Sequence, residues 1–226
     1  MAGPSTLILE TSTPQASLAL AGPCDGVTER GFASDRSHHA CLFGPLGELL
    51  ETAAGGHLAR VLVGSGPGSY SGTRVGIAAA QGVALARECP AVAVPSILAL
   101  AAAAGGAACL VIGDARRGSY WLARIAAGRL EDAPHLTDGA GLVTAVASAA
   151  AQGLAVVSME EAARFPLPGS LLASVLREFP SAARLWRAWC LADEATQAAW
   201  AAAIPQPIYL KPPHITPAKR PWLVPS

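Results

Sequence analysis

The chain has 226 residues, of which 52% are hydrophobic and only 14% charged, and its 16 Lys+Arg are matched by 16 Asp+Glu. That suffices for two modest domains, or one large one, around a sizeable core. Zero net charge disfavours an independent grip on nucleic acid, which needs a basic excess.

Its five cysteines (Cys24, Cys41, Cys89, Cys109, Cys190) are odd in number and scattered without a C-x-x-C pair. They fit reduced thiols in a cytoplasmic protein rather than a disulfide framework. So low a charged fraction also implies more apolar surface than usual, which points to a partner.

At the N-terminus neither a basic region nor a long apolar stretch is present, so no signal peptide is expected. Residues 6–10 read as a buried strand ending in the carboxylate of Glu10; residues 11–14 turn, and 16–20 return as the second arm of a hairpin. Gly22-Pro23 and Asp25-Gly26 mark another turn, and 27–33 a third strand. Ser37 can cap a helix whose Leu42, Leu46, Leu49 and Leu50 follow helical spacing, with Pro45 predicting a kink or a later start. A fourth strand over 61–63 runs into Gly64-Ser65-Gly66-Pro67-Gly68-Ser69-Tyr70-Ser71-Gly72-Thr73-Arg74.

That glycine loop launches a helix around 73–87, with Arg74 in its first turn and an uncharged run over 75–86, which Ser71 or Thr73 would cap. A strand, a glycine loop and a helix N-terminus can receive an anion, and they equally make a tight structural turn. The helix has almost no polar face beyond Gln81, so the pattern predicts cover on two sides, by the sheet and by a neighbour.

From Cys89 to Gly113 no charge occurs, a length that could cross a membrane. Pro90, Pro95, Ser96 and Gly105-Gly106 interrupt it, so it reads as strand, an Ala-rich helix over 96–104, loop and strand, with no membrane span. Residues 108–114 then repeat the opening pattern: an apolar strand ending in Asp114, a turn at 115–118 and a returning strand over 119–125. Glu10 and Asp114 are equivalent points 104 residues apart, which suggests a duplicated domain. Beyond Gly128 the spacing predicts helices over 142–151 and 171–178 and a strand over 154–157. Trp186, Trp189 and Trp200 read as core or interface filler. Residues 205–226 carry seven prolines and read as extended. The division is an N-terminal domain at 1–104 with the docking helices, a second, divergent domain at 105–204 and a C-terminal segment at 205–226.

Chemical motifs are sparse. The glycine loop lacks the Lys-Ser or Lys-Thr of a Walker A motif, and Ser69 stands where the Rossmann fingerprint needs its third glycine. Neither Gly64-Ser65-Gly66 nor Gly68-Ser69-Tyr70-Ser71-Gly72 is a G-x-S-x-G nucleophile elbow. His38, His39 and Cys41 are the nearest thing to a metal cluster, but no histidines are spaced i, i+4, and His57, His135 and His214 are isolated. Glu10 and Asp114 could face one another across a cleft and hold hydrated magnesium. The reading preferred from the residues alone is acids that cap hairpin turns, because no phosphate-binding lysine lies nearby.

Six blocks resemble the TsaB (YeaZ) family: Leu7-Ile8-Leu9-Glu10-Thr11-Ser12-Thr13; His39 with Pro45; residues 66–76 of the glycine loop; Gln81-Gly82-Val83-Ala84; Ile112-Gly113-Asp114-Ala115-Arg116; and Pro207-Ile208-Tyr209-Leu210-Lys211. They are dense over residues 5–125 and return at 205–213. The resemblance implies an α/β fold of two related domains of the actin/Hsp70/sugar-kinase-like (ribonuclease H-like) type, with mixed sheets flanked by helices.

It further implies a cytoplasmic, non-catalytic subunit that pairs with a TsaD-type paralogue, joined by a TsaE-type ATPase. The complex makes threonylcarbamoyladenosine next to the anticodon of ANN-decoding tRNAs. ATP and magnesium would act on the partners, tRNA would be met only through the complex, and no cofactor, metal or catalytic residue is expected on this chain. The docking surface expected from the two helices comprises His39, Leu42, Leu46, Leu49, Leu50, Arg74, Val75, Ala78, Ala79, Gly82 and Val83, with weak homodimerisation through the same helices when the partner is missing. Nucleotide contacts, if present, fall to Glu10, Thr11, Ser12, Gly66, Gly68 and Asp114. Glu10 stands where the family usually has Asp, and Ser119 where Glu is usual, which argues against nucleotide binding. Two other readings compete: a stand-alone ATPase or kinase-like phosphotransferase using the cleft, and a metallopeptidase-like protein, for which the H-x-x-x-H pair is missing.

Overall fold

A computed structural model describes residues 4–22, 26–33, 38–53 and 57–211. Cys24, the expected cap Ser37, His214, and the side chains of His38 and His39 lie outside the described residues. The first sheet begins with β1 (Ser5–Glu10), β2 (Gln15–Ala21) and β3 (Val27–Ala33), an antiparallel meander. Helix α1 (His38–Thr52) crosses over to β4 (Leu58–Gly64), which pairs parallel with β1. Helix α2 (Tyr70–Ala86) crosses again to β5 (Ala91–Val94), giving the order β3-β2-β1-β4-β5.

A 3-10 turn at Ser96–Ala99 and the short α3 (Ala101–Ala104) lead to the second sheet. The expected continuous helix over 96–104 is therefore split at Leu100, whose extended backbone interrupts it. The uncharged span thus folds as strand, turn, short helix and strand, and among the described residues no helix is long and apolar enough to cross a membrane.

The second sheet repeats the plan. β6 (Cys109–Asp114) forms a hairpin with β7 (Tyr120–Ala126), which also pairs with β8 (Arg129–Leu130) and β9 (His135–Thr137). Helix α4 (Gly139–Ala151) returns the chain to β10 (Ala155–Ser158), parallel to β6. After α5 (Gly169–Leu172), β11 (Val175–Arg177) adds to the far edge. A single helix over 171–178 is not formed: Leu171 and Leu172 end α5, while Val175 and Leu176 pair with β10. Helices α6 (Ala182–Leu191) and α7 (Glu194–Ala202) complete the order.

The strands β1, β2, β4 and β6 are apolar because both their faces are covered. In the first sheet Leu7, Leu9, Leu18, Val61 and Val63 share a core with Leu42, Leu46 and Leu49 of α1 and with Ile77, Ala80 and Ala84 of α2. Ile8, Ala19, Leu62 and Val92, on the alternate positions, pack against Ala182, Leu185 and Trp189 of α6. The second sheet alternates likewise, with Val111 and Ala123 towards Ile97 and Leu100, and Ile112 and Leu122 towards Leu142 and Val146 of α4. Each fully buried Leu or Ile contributes about 1.5–3 kcal/mol. The last two helices of the second half reach across to the first sheet. Helix α6 covers β1, β2 and β4, and α7 lies on β5, because the far face of the first sheet would otherwise be wet.

Candidate functional site

The carboxyl ends of β1, β4, β6, β10 and β11 converge on one cleft of about 600 Å³ between the sheets, the place where open α/β sheets usually receive ligands. On the first-sheet wall, β1 ends at Glu10, whose side chain turns away from the cleft and is 0% exposed. Its Oε1 accepts the Ser12 N–H at 2.7 Å. Its Oε2 reaches beneath Gly64, beside Ser96, without a hydrogen bond of normal geometry. Burial pushes this carboxyl above its ordinary range, and the neighbouring Ser12 and Ser96 groups only partly offset that rise.

The glycine loop is filled by its own chain. A Cβ on Gly68 would stand 2.3 Å from Ser12 O, one on Gly72 2.3 Å from Thr11 O, and one on Gly76 2.1 Å from Thr11 Oγ1. The three glycines therefore let the turn after β1 lie directly against the start of α2. The Gly66 N–H donates to Ser96 Oγ at 2.9 Å and the Ser69 N–H to Ser12 O at 2.6 Å. The Gly72 and Thr73 N–H groups donate to Ser69 Oγ and Ser69 O. Ser69, rather than Ser71 or Thr73, is thus the helix cap. These four N–H groups, which a phosphate cradle could use, are already engaged.

On the opposite wall Asp114 Oδ1 accepts the Arg116 N–H at 2.7 Å, and its Oδ2 lies 3.3 Å from Arg116 Nη1 and 3.5 Å from Arg164 Nη1. Glu160, just beyond β10, accepts the Asp114 N–H at 2.7 Å. Burial raises its carboxyl above the usual range; the hydrogen bond from the Asp114 N–H offsets part of that rise, and the Asp114 charge adds back less. Glu161 pairs with Arg177 at the end of β11. Glu160, Arg164 and Arg177 were missed from sequence, although Glu160 follows an apolar strand much as Glu10 and Asp114 do.

Of the six expected contacts, Ser12, Gly68 and Asp114 line the cleft, whereas Glu10, Thr11 and Gly66 do not. Magnesium shared between Glu10 and Asp114 does not fit this donor set: one carboxyl is buried behind its strand and the other is neutralised by two guanidinium groups. Among the described residues no three His, Cys, Asp or Glu side chains are grouped to hold a metal ion.

A second surface lies outside the cleft. Arg74, Ala78, Gln81, Gly82 and Leu85 form an exposed stripe along α2, with Leu85 84% exposed. Val75, Ala79 and Val83 beside it are half-buried, as is Leu50 of α1. Among the described residues of α1, Phe43, 59% exposed, faces solvent with Gly44, Glu48, Glu51 and Thr52. Leu42, Leu46 and Leu49, expected at a docking surface, instead belong to the core beneath α1, since their helical stripe faces the sheet. At the head of α2, Arg74 Nη1 donates to Tyr70 Oη and its Cζ lies 4.9 Å from the Tyr70 ring centroid.

The family model described as TsaD: tRNA N6-adenosine threonylcarbamoyltransferase matches residues 33–175. The tRNA threonylcarbamoyladenosine biosynthesis protein TsaB of Escherichia coli (strain K12) is 33% identical over 123 residues, 51% of this chain and 52% of that protein. The match thus spans about half the length of the curated relative. Among solved structures, YeaZ from Pseudomonas aeruginosa has a TM-score of 0.59 at 24% identity, over 92% of this chain and 100% of its own. A P. aeruginosa protein described as similar to peptidase YEAZ has a TM-score of 0.65 at 21% identity, with the same coverage. At these identities the structural likenesses establish the fold: two related α/β halves of the actin-like type, with mixed sheets flanked by helices.

Proposed function

The chain belongs to the family of TsaD and TsaB (YeaZ) proteins, and on that premise we propose that it is a non-catalytic subunit in the biosynthesis of threonylcarbamoyladenosine on tRNA. It acts by docking the exposed face of α2 onto a TsaD-type paralogue. The observation that carries this reading is the stripe Ala78, Gly82 and Leu85, small and apolar side chains left to solvent along a helix whose other face is core. Small residues let a second helix approach closely, and burying such a patch supplies the hydrophobic driving force for association. Phe43 on the neighbouring α1 adds apolar surface of the same kind.

The cleft supports the same reading from the other side. A phosphotransferase needs ionised carboxylates aimed at a metal and free backbone donors for phosphate, and here Glu10 is buried and the glycine-loop donors named above are engaged. ATP and magnesium are therefore assigned to the paralogue and to a TsaE-type ATPase, and tRNA is met through the complex in the cytoplasm.

The test is an Ala78→Asp chain mixed with the TsaD-type paralogue and followed by sedimentation velocity, with tRNA modification reconstituted in parallel. A carboxylate buried unpaired in the interface should weaken the heterodimer by at least about 100-fold and stop modification. A folded variant that pairs and supports modification as before would remove α2 as the docking face. Omission of the native chain should also abolish modification, and persistence of modification without it would remove the functional reading itself.

A further inference from the structure

After α7 the chain runs back across the mouth of the cleft, and residues 207–211 form part of its wall. The Ile208 N–H donates to Ser65 O at 2.9 Å, at the first turn of the glycine loop. The Tyr209 ring lies 6.1 Å from that of Tyr70, the first residue of α2. Two residues on, the attachments change sides: Leu210 packs against the core of the second sheet, and Lys211 Nζ donates to Arg116 O at 2.9 Å. That carbonyl belongs to a turn in which Arg116 (φ 66°) and Arg117 (φ 59°) both hold the left-handed conformation that L side chains rarely adopt.

We propose that residues 205–211 are a strap along one wall of the cleft that ties the glycine loop and the head of α2 to the β6–β7 turn and so sets how the two sheets are held. Pro205 and Pro207 fix φ at two of its positions, so less conformational freedom is lost when it lies extended. Because the strap is tethered to α7, its effective local concentration is on the order of millimolar, and a few contacts on each wall hold it. This inference concerns the free chain, and the strap also reaches the α2 stripe, where Gln81 Nε2 donates to Pro205 O at 3.5 Å.

Amide hydrogen exchange on the full chain tests it through transmission across the cleft. Lys211→Ala removes an attachment on the second-sheet side only and leaves both sheets intact. If the strap is a tie, exchange should quicken at least fivefold not only at 115–118 but also in the glycine loop at 65–69 on the opposite wall, while 7–9 and 109–112 keep their protection. Ile208→Pro, which deletes the donor to Ser65, should give the mirror result at 115–118. Quickening confined to the side of each substitution, or no change at either wall, overturns the proposal. Should Ile208→Pro also reduce protection in the sheet cores, Lys211→Ala decides the matter alone.

Discussion

Glu10 offers the sharpest check on how the first half of the cleft is built. In Glu10→Ala, the buried Ser12 N–H loses its acceptor, at about 1–3 kcal/mol. Loss of one buried methylene adds about 0.8 kcal/mol. Removing Oε2, which has no hydrogen-bond partner of its own, returns about 1–2 kcal/mol. The net loss is about 1–2 kcal/mol, readable by urea denaturation followed by circular dichroism. Glu10→Gln keeps the acceptor and the volume and should stay within about 1 kcal/mol of the native chain at pH 5.

The two substitutions then part with pH. Because burial raises the folded carboxyl above its unfolded value, the folded chain holds a proton that the unfolded chain releases. Stability from this group is full below the unfolded pKa and is lost as pH rises through the folded one. Gln carries no such dependence, so its stability relative to the native chain should grow from pH 5 to pH 8, by up to about 1.4 kcal/mol per pH unit while the native chain titrates. A Glu10→Ala variant within about 0.5 kcal/mol of native, the range of an ordinary surface change, would refute the buried placement. So would a Gln variant that followed the native pH dependence.

The glycines of α2 should sort by what their missing Cβ would meet. Gly72→Ala drives a methyl to 2.3 Å from the backbone oxygen of Thr11 and should cost about 1–3 kcal/mol in urea. Gly82→Ala meets nothing within 4 Å and should stabilise by up to about 1 kcal/mol. Equal effects would mean that the Thr11 turn does not lie against the helix. Among the thiols, Cys109 is buried, and its pKa is pushed up to about 11 by burial, with the charge of Glu178 adding to it. It should resist a disulfide exchange reagent at pH 8 until the chain unfolds, whereas exposed Cys190 should react early; rapid native-state labelling of Cys109 by mass spectrometry would contradict its placement.

The sheets were legible in the sequence because β1, β4 and β6 are buried on both faces, which leaves short apolar runs ended by turn residues. The facing of α1 was not. Leu42, Leu46 and Leu49 repeat at helical spacing whether the stripe meets a sheet or a partner, and only the long-range packing that puts them in one core with Leu7, Leu18 and Val61 decides it. The same limit hid β11. Leu171, Leu172, Val175 and Leu176 suit a helix by spacing, and the pairing of Val175 with Val156 lies outside any local window. It also hid α6, whose Leu185 and Trp189 cross from the second half of the chain to cover the first sheet.

The two strand-end acids show most clearly what a sequence pattern carries and what it leaves open. Glu10 and Asp114 do end equivalent strands, opposite Ser17 and Tyr120 of their hairpin partners, so the repeat predicted their position along the fold. Their direction depends on neighbours far away in the chain. Gly64, with no Cβ, leaves room beneath β4 for the longer Glu10 side chain beside Ser96, and the carboxyl enters the core. Asp114 has no such recess: Gly113 beside it is covered by the Trp121 ring, and the carboxylate stays at the cleft, where Arg116 and Arg164 balance its charge. Burial in one half and ion pairing in the other reach the same result: neither acid presents an unbalanced charge to the cleft, and the exposed apolar face of α2 is left as the feature that most needs a partner.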